Sequence, residues 1–148
     1  MSEALKIVVP TDFSEASVAV LDWVKRLNER GHAEVHVVHV VQQPVVYMPM
    51  MSGTTAGPMP NISELQRLTE DSLDIFIDKH MADLETPPVK KVLIGRPAEE
   101  ITDYAKNIDA QMIVIATRGQ SGIARMMLGS VAEGVVRQAQ CPVLTIRS

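Results

Sequence analysis

The sequence predicts an α/β domain in which a five-stranded, mostly parallel sheet is doubly wound, with helices on both of its faces. Five short apolar runs alternate with four amphipathic stretches along the chain, an order typical of parallel sheets with crossover helices. The 148 residues suffice for one domain. Because aromatic residues make up only 3% of a chain that is 46% hydrophobic, we expect an aliphatic core.

The five apolar runs are predicted to form the strands. Each is short, rich in β-branched residues and bounded by turn-forming or polar residues, as buried parallel strands usually are. The runs are Leu5–Val9, Val35–Val41, Val89–Ile94, Met112–Ala116 and Val143–Ile146.

The first helix is predicted to follow Asp12, a residue type that often caps helices. Glu15 lies three residues later, as in a capping box, and Gly31 is expected to end the helix. Apolar residues at three-and-four spacing predict the face that packs on the sheet. These residues are Ala16, Ala19, Val20, Trp23, Val24 and Leu27.

The second helix is predicted to begin near Ser63, with Ser63 and Gln66 as its capping pair. Pro97 suits the first position of the third helix, and Gly129-Ser130 is expected to open the fourth. The predicted inward faces are Leu65, Leu68, Leu73, Phe76, Ile77 and Met81 in the second helix, Ile101, Tyr104 and Ala105 in the third, and Val131, Val135, Val136 and Ala139 in the fourth.

Residues 44–60 interrupt every regular pattern with repeated prolines and glycines. We therefore expect one domain, residues 1–148, that carries a flexible loop insertion at 44–60. The segment also holds four methionines, a residue type that makes adaptable contact surfaces. The sequence leaves open whether the insertion is disordered or forms a lid over the strand ends.

Charge and composition exclude several classes of function. A net charge of −4 and an isoelectric point near 5.5 argue against nucleic-acid binding. No apolar run reaches the roughly 18 residues of a membrane span, and the first residues lack a signal-peptide pattern; we expect a cytoplasmic protein that does not bind membranes.

His36 and His39 should point to opposite faces of a strand, so they cannot chelate one metal ion and no metal site is predicted.

Ligands of open α/β sheets bind beyond the carboxyl ends of the strands, where the strand order reverses. Four segments are expected to lie there: Pro10–Ser14, Val40–Pro44, Gly95–Pro97 and Ala116–Ser130. The ligand site is therefore predicted among these four segments.

The last of these segments has features of a phosphate site. Its glycines, among them Gly119, let backbone amides approach a phosphate. Ser130 would open a helix whose amino terminus suits an anion, and Arg118 and Arg125 could add charge-assisted hydrogen bonds. A surface loop with turn glycines and solvated arginines is the alternative, and the residues alone leave both interpretations open.

Four stretches of the chain resemble the universal stress protein family: Val8–Ser14, Gly95–Ile101, Leu128–Glu133 and Cys141–Leu144. The resemblance covers the chain apart from residues 44–60. It implies an adenine-nucleotide alpha-hydrolase-like architecture that binds ATP with Mg²⁺. It also implies a homodimer paired through the last strand. Because that strand would otherwise leave an unpaired apolar edge, Val143, Leu144 and Ile146 are predicted to form the interface.

The ATP-binding members of that family carry the motif Gly-x2-Gly-x9-Gly-Ser/Thr. Gly119 and Gly129-Ser130 match its second half, whereas Ala116 stands at the first glycine position. A methyl group there would cost about 1 kcal/mol if the residue needed a positive φ, and would only narrow the approach of the sugar if the backbone were extended. We therefore expect weakened rather than abolished binding.

The resemblance assigns adenine and ribose contacts to the first turn and the second strand, and the phosphate wall to the segment after the fourth strand. With Arg118, the candidate nucleotide site consists of Pro10, Thr11, Asp12, Val40, Ile115, Ala116, Arg118, Gly119, Gly129, Ser130 and Val131.

The resemblance leaves two candidate functions. One is a dimeric, ATP-binding regulator of the stress response that changes with its nucleotide. The alternative, favoured by Ala116, is a dimeric interaction protein that binds an unknown protein partner and no ATP. Because Asp12 is the only candidate carboxylate near the glycines, we expect at most slow ATP hydrolysis.

Overall fold

The computed structural model describes residues 3–29, 33–42, 61–118 and 128–147. Strands and helices alternate along the chain, as predicted. They are β1 (Leu5–Pro10), α1 (Glu15–Asn28), β2 (Ala33–Val41), α2 (Ile62–His80), β3 (Val89–Ile94), α3 (Pro97–Asn107), β4 (Met112–Ala116), α4 (Ser130–Gln138) and β5 (Val143–Ile146). The predicted strand bounds are met, with β1 and β2 each slightly longer. The predicted insertion at 44–60 and Gly31 lie outside the described residues.

The five strands form one sheet in the order β3-β2-β1-β4-β5. Every neighbouring pair is parallel, so the sheet is wholly rather than mostly parallel. The strand order reverses between β1 and β4, because the chain first winds outward from β1 to β3 and then returns to the other side of β1. The predicted doubly wound α/β fold is confirmed.

Two apolar layers cover the two faces of the sheet. On one face α1 and α2 bury residues such as Val20, Leu21 and Leu73. On the other face α3 and α4 bury residues such as Ile101 and Val135. Both layers are mainly aliphatic, as the composition predicted. No helix within the described ranges is long and apolar enough to cross a bilayer.

The predicted cap of α1 is wrong, and its predicted buried face is met only in part. Ser14, not Asp12, is the N-cap, and its hydroxyl accepts a hydrogen bond from the Ser17 amide. The buried residues of this helix are Ser17, Val20, Leu21 and Val24, so Val20 and Val24 of the predicted face are confirmed. Trp23 and Leu27 are 46% and 37% exposed, and the Arg26 guanidinium lies over the Trp23 ring.

The predicted cap of α2 is also wrong. Asn61 caps this helix, because its side-chain oxygen accepts a hydrogen bond from the Ser63 amide. Three predicted inward residues, Leu73, Phe76 and Met81, are buried, whereas Leu68 is 50% exposed.

In the last two helices the predictions hold at most positions. Pro97 stands in the first turn of α3, and Ile101 and Ala105 are buried. In α4 Val135 is buried, but its neighbour Val136 is 49% exposed.

Candidate functional site

A cleft of about 560 Å³ lies beyond the carboxyl ends of β1, β2 and β4, where the strand order reverses. Its volume falls in the range of roughly 300–1,000 Å³ typical of small-molecule sites. Ten of the eleven candidate residues line it: Pro10, Thr11, Asp12, Val40, Ile115, Ala116, Arg118, Gly129, Ser130 and Val131. The eleventh, Gly119, lies outside the described residues.

The turn between β1 and α1 forms one wall of the cleft, and hydrogen bonds from its own side chains stabilise it. The carboxylate Oδ1 of Asp12 accepts hydrogen bonds from the Ser14 amide at 3.0 Å and the Ser17 hydroxyl at 2.7 Å. The hydroxyl of Thr11 accepts a hydrogen bond from the Phe13 amide at 3.0 Å. These contacts hold Asp12 in a fixed orientation at the cleft, although it does not cap α1.

Phe13 takes a left-handed backbone conformation in this turn, with φ of 65°, which is uncommon for a residue with a side chain. Its ring stacks on His39 with centroids 4.7 Å apart and meets the Phe76 ring edge-on at 5.6 Å. The Nδ1 of His39 lies 2.7 Å from the Thr11 carbonyl oxygen. Both Phe13 and His39 line the cleft.

Ala116 ends β4 in extended backbone, opposite Ile146 of β5. Among the described residues, the non-glycine positions with positive φ are Phe13 and Asp109. The backbone of Ala116 therefore carries no strain that glycine would relieve. Its methyl group packs against the apolar layer between the sheet and the two helices α1 and α2, and the residue also borders the cleft.

The opposite wall contains Thr117, Arg118 and the start of α4. The Gly129 amide donates a hydrogen bond to the Thr117 carbonyl at 2.6 Å, which fixes the amino end of α4 against the end of β4. Gly129 is the N-cap residue, and no side chain caps the helix within the described ranges. A helix amino terminus in this position, with Arg118 beside it, favours a bound anion.

Nine lining residues were not among the individual candidates. Four of them lie in the segments predicted to hold the site: Phe13, Gln42, Pro97 and Thr117. The other five lie outside those segments: Ser17, Val38, His39, Ile101 and Ala132. His39 was considered only as a metal ligand. Its position next to Val40 at the carboxyl end of a strand was the signal that could have identified it.

A buried histidine, His36, lies away from the cleft lining. His36 is 6% exposed; its Nδ1 lies 2.8 Å from the Tyr104 hydroxyl and its Nε2 lies 2.6 Å from the Glu34 carboxylate. His36 thus faces α3 and His39 faces Phe13 of the other layer, so the predicted opposite orientation is confirmed. Burial, with a smaller effect of Glu34, raises the pKa of the Tyr104 phenol.

Metal-binding side chains do not cluster within the described ranges, where no three His, Cys, Asp or Glu side chains are grouped to hold an ion. Cys141 is a partly buried free thiol. Burial raises its pKa, which lowers the reactive thiolate fraction.

The strand β5 forms one edge of the sheet. Val143 packs toward the α3 and α4 layer, whereas Leu144 and Ile146 pack toward the other layer. Ile146 is 7% exposed, whereas Val143 and Leu144 are only partly buried. The assignment of these residues to a dimer interface stays a prediction.

Comparison with known proteins gives a consistent family match. The model of the universal stress protein family matches residues 4–147. Universal stress protein MJ0531 of Methanocaldococcus jannaschii is 34% identical over 145 residues, which are 96% of this chain and 81% of that relative. Universal stress protein YxiE of Bacillus subtilis is 32% identical and covers 96% of this chain and 98% of its own length.

Solved structures show the same fold. The universal stress protein UspA from Lactobacillus plantarum superposes with a TM-score of 0.77 at 25% identity, over 99% of this chain and all of that chain. A universal stress protein from Archaeoglobus fulgidus in complex with dAMP superposes with a TM-score of 0.68 at 21% identity, over 99% of both chains.

Proposed function

Because this chain belongs to the universal stress protein family, we propose that its cleft binds an adenine nucleotide, ATP with Mg²⁺, and that the protein is a dimeric, nucleotide-responsive regulator of the stress response. The observation that carries the proposal is the convergence of ten candidate residues on one cleft at the reversal of strand order. A relative of the same fold is described in complex with an adenine nucleotide, dAMP.

The adenosine would occupy the side of the cleft beside β1 and β2. The apolar side chains of Val38, Val40 and Ile115 line the cleft and suit the faces of a purine. Asp12 is held at the cleft by its own hydrogen bonds, and a carboxylate accepts hydrogen bonds from ribose hydroxyls. This wall therefore supports recognition of a nucleoside.

The phosphates would extend toward the amino end of α4. Gly129 has φ of −59° and ψ of 153°, a conformation that any residue can adopt. Conformational freedom therefore does not explain a glycine here, whereas close approach of a phosphate to the backbone does. Arg118 would contribute charge, and Mg²⁺ would enter on the phosphates, since Mg²⁺ is commonly held by one or two carboxylates and substrate phosphates.

We propose that the cleft binds ATP and hydrolyses it slowly at most. Asp12 is the only carboxylate among the described residues that line the cleft. Its Oδ1 already accepts hydrogen bonds from Ser14 and Ser17, so it is poorly placed to act as a general base. Turnover above about one per second, an ordinary enzymatic rate, would contradict this part of the proposal.

Dimerisation through β5 is proposed because this strand ends the sheet. An unpaired edge strand is commonly covered or paired with another strand, and two copies of β5 would form an isologous contact about a two-fold axis. A monomer mass in light scattering at micromolar protein would refute this part.

Isothermal titration calorimetry with ATP and Mg²⁺ tests the nucleotide proposal. We expect saturable heat for the wild type and a strong loss of affinity for Gly129→Val, because Gly129 lines the cleft and the proposal requires close approach of a phosphate there. Val136→Ala is the matched control on the same helix, because Val136 is exposed and does not line the cleft. Absence of heat at millimolar ATP would favour the nucleotide-independent interaction protein, the alternative that Ala116 suggests.

A further inference from the structure

His39 is a cleft residue to which the nucleotide proposal assigns no role. We propose that His39 is a positioning residue for the nucleotide site: it holds the turn of Thr11, Asp12 and Phe13 so that Asp12 faces the ligand. This inference rests on the proposed function, because it concerns how the same cleft is kept ready for a nucleotide.

The first contact is a hydrogen bond to the backbone. The Thr11 carbonyl can only accept, so the Nδ1 of His39, 2.7 Å away, must donate. The Thr11 amide in turn donates to the Val38 carbonyl at 2.9 Å. Both backbone polar groups of Thr11 are therefore attached to β2, one through the strand backbone and one through the imidazole.

The second contact is between rings. Phe13 holds the left-handed conformation that side chains disfavour, and its ring lies between His39 and Phe76. Stacking at 4.7 Å with an interplanar angle of 29° stabilises this placement. Because Asp12 lies between Thr11 and Phe13, the imidazole contacts the residues on both sides of it.

The hydrogen bond has a spectroscopic consequence that is independent of any ligand. To donate this hydrogen bond, His39 must carry a proton on Nδ1. The neutral Nδ1–H tautomer and the imidazolium both do so, and the neutral Nε2–H tautomer does not. Long-range ¹H–¹⁵N correlation spectra of the protein without nucleotide, recorded at alkaline pH, should show protonated Nδ1 and unprotonated Nε2 for His39. The opposite tautomer would overturn the proposal.

Two variants separate the hydrogen bond from the ring. In His39→Asn the side-chain amide places an N–H near the position of Nδ1, whereas His39→Phe keeps a stacking ring without a donor. We expect ATP affinity about two- to fivefold weaker for His39→Asn, which keeps a donor but loses the stacking ring, and about five- to tenfold weaker for His39→Phe, the effect of one hydrogen bond. Wild-type affinity in either variant would overturn the proposal.

Hydrogen exchange without nucleotide distinguishes positioning from direct contact with the ligand. The Phe13 and Ser14 amides donate within the turn, to Thr11 Oγ1 and Asp12 Oδ1. If His39 positions the turn, His39→Phe accelerates exchange of these two amides and leaves those of α3 unchanged. Unchanged exchange at Phe13 and Ser14 would overturn the proposal.

These measurements also separate the two proposals. If the wild type binds no ATP, the proposed function fails and the nucleotide role of His39 fails with it, while the tautomer and the exchange rates still decide whether His39 holds the turn. If His39→Phe does not fold, the tautomer in the wild type and the affinity of His39→Asn decide the outcome.

Discussion

Ala116→Gly restores the glycine of the family motif and tests whether the extra methyl group obstructs the cleft. The structure places Ala116 in extended backbone at the end of β4, paired with Ile146. Its methyl group packs against the apolar layer on the α1 and α2 side. Glycine would therefore relieve no backbone strain and would remove a packing contact.

The stability change can be estimated from these two facts. Loss of a methyl group costs up to about 0.8 kcal/mol of burial, and glycine in a strand costs about 0.5–1 kcal/mol relative to alanine. Together they lower the free energy of unfolding by roughly 1–2 kcal/mol, which in a domain of this size lowers Tm by about 2–8 °C.

Affinity is the decisive quantity for this variant. We expect Ala116→Gly to change the Kd for ATP by less than about threefold, because the backbone conformation is unchanged. Calorimetry at equal Mg²⁺ concentration, with thermal unfolding measured on the same samples, gives both numbers. A gain in affinity of tenfold or more, about 1.4 kcal/mol, would show that the methyl group obstructs the ligand and would refute this reasoning.

Three further predictions concern stability and reactivity. A Cβ at Gly134 would lie 2.7 Å from the Ala98 Cβ, between α4 and α3. Gly134→Ala should therefore lose about 1–3 kcal/mol of stability through overpacking and regain up to about 1 kcal/mol through the higher helix propensity of alanine. An unchanged urea midpoint would contradict this prediction. Tyr104→Phe should cost about 1–3 kcal/mol in urea unfolding, because it leaves the buried His36 Nδ1 without its partner. Since burial raises the pKa of Tyr104, wild-type stability should fall as pH rises above the ordinary tyrosine pKa, and this part of the alkaline loss should be absent from Tyr104→Phe. Cys141, whose pKa burial also raises, should react with iodoacetamide at pH 7.5 more slowly than glutathione does; an equal rate would refute that expectation.

The architecture could be predicted from the sequence because its signals are local and repeated. Each strand is a short run rich in β-branched residues, and the alternation with amphipathic stretches favours a parallel, doubly wound sheet. The position of the cleft followed from the same topology, since the strand order reverses where β1 and β4 meet. Most of the individual candidate residues came instead from the resemblance to the universal stress protein family, and ten candidates line this cleft.

The details that failed depend on competition between neighbouring groups. Asp12 and Ser14 are both good caps, and Ser14 takes the role because the Asp12 carboxylate binds Ser14 and Ser17 within the turn. The cap therefore lies two residues later than predicted, at Ser14. Trp23, predicted to face inward, is 46% exposed.

The role of His39 was missed for a related reason. Its partners, Thr11 and Phe13, are 28 and 26 positions away in the sequence and meet it only through the pairing of β1 with β2. The left-handed conformation of Phe13 has no signal in its residue type.

A crystal structure grown with ATP and Mg²⁺ tests the central claim most directly. We expect the adenosine in the cleft beside Asp12 and Val40, with the phosphates at the amino end of α4 near Gly129. A nucleotide bound elsewhere on the protein, or an empty cleft at saturating ATP, would contradict the account.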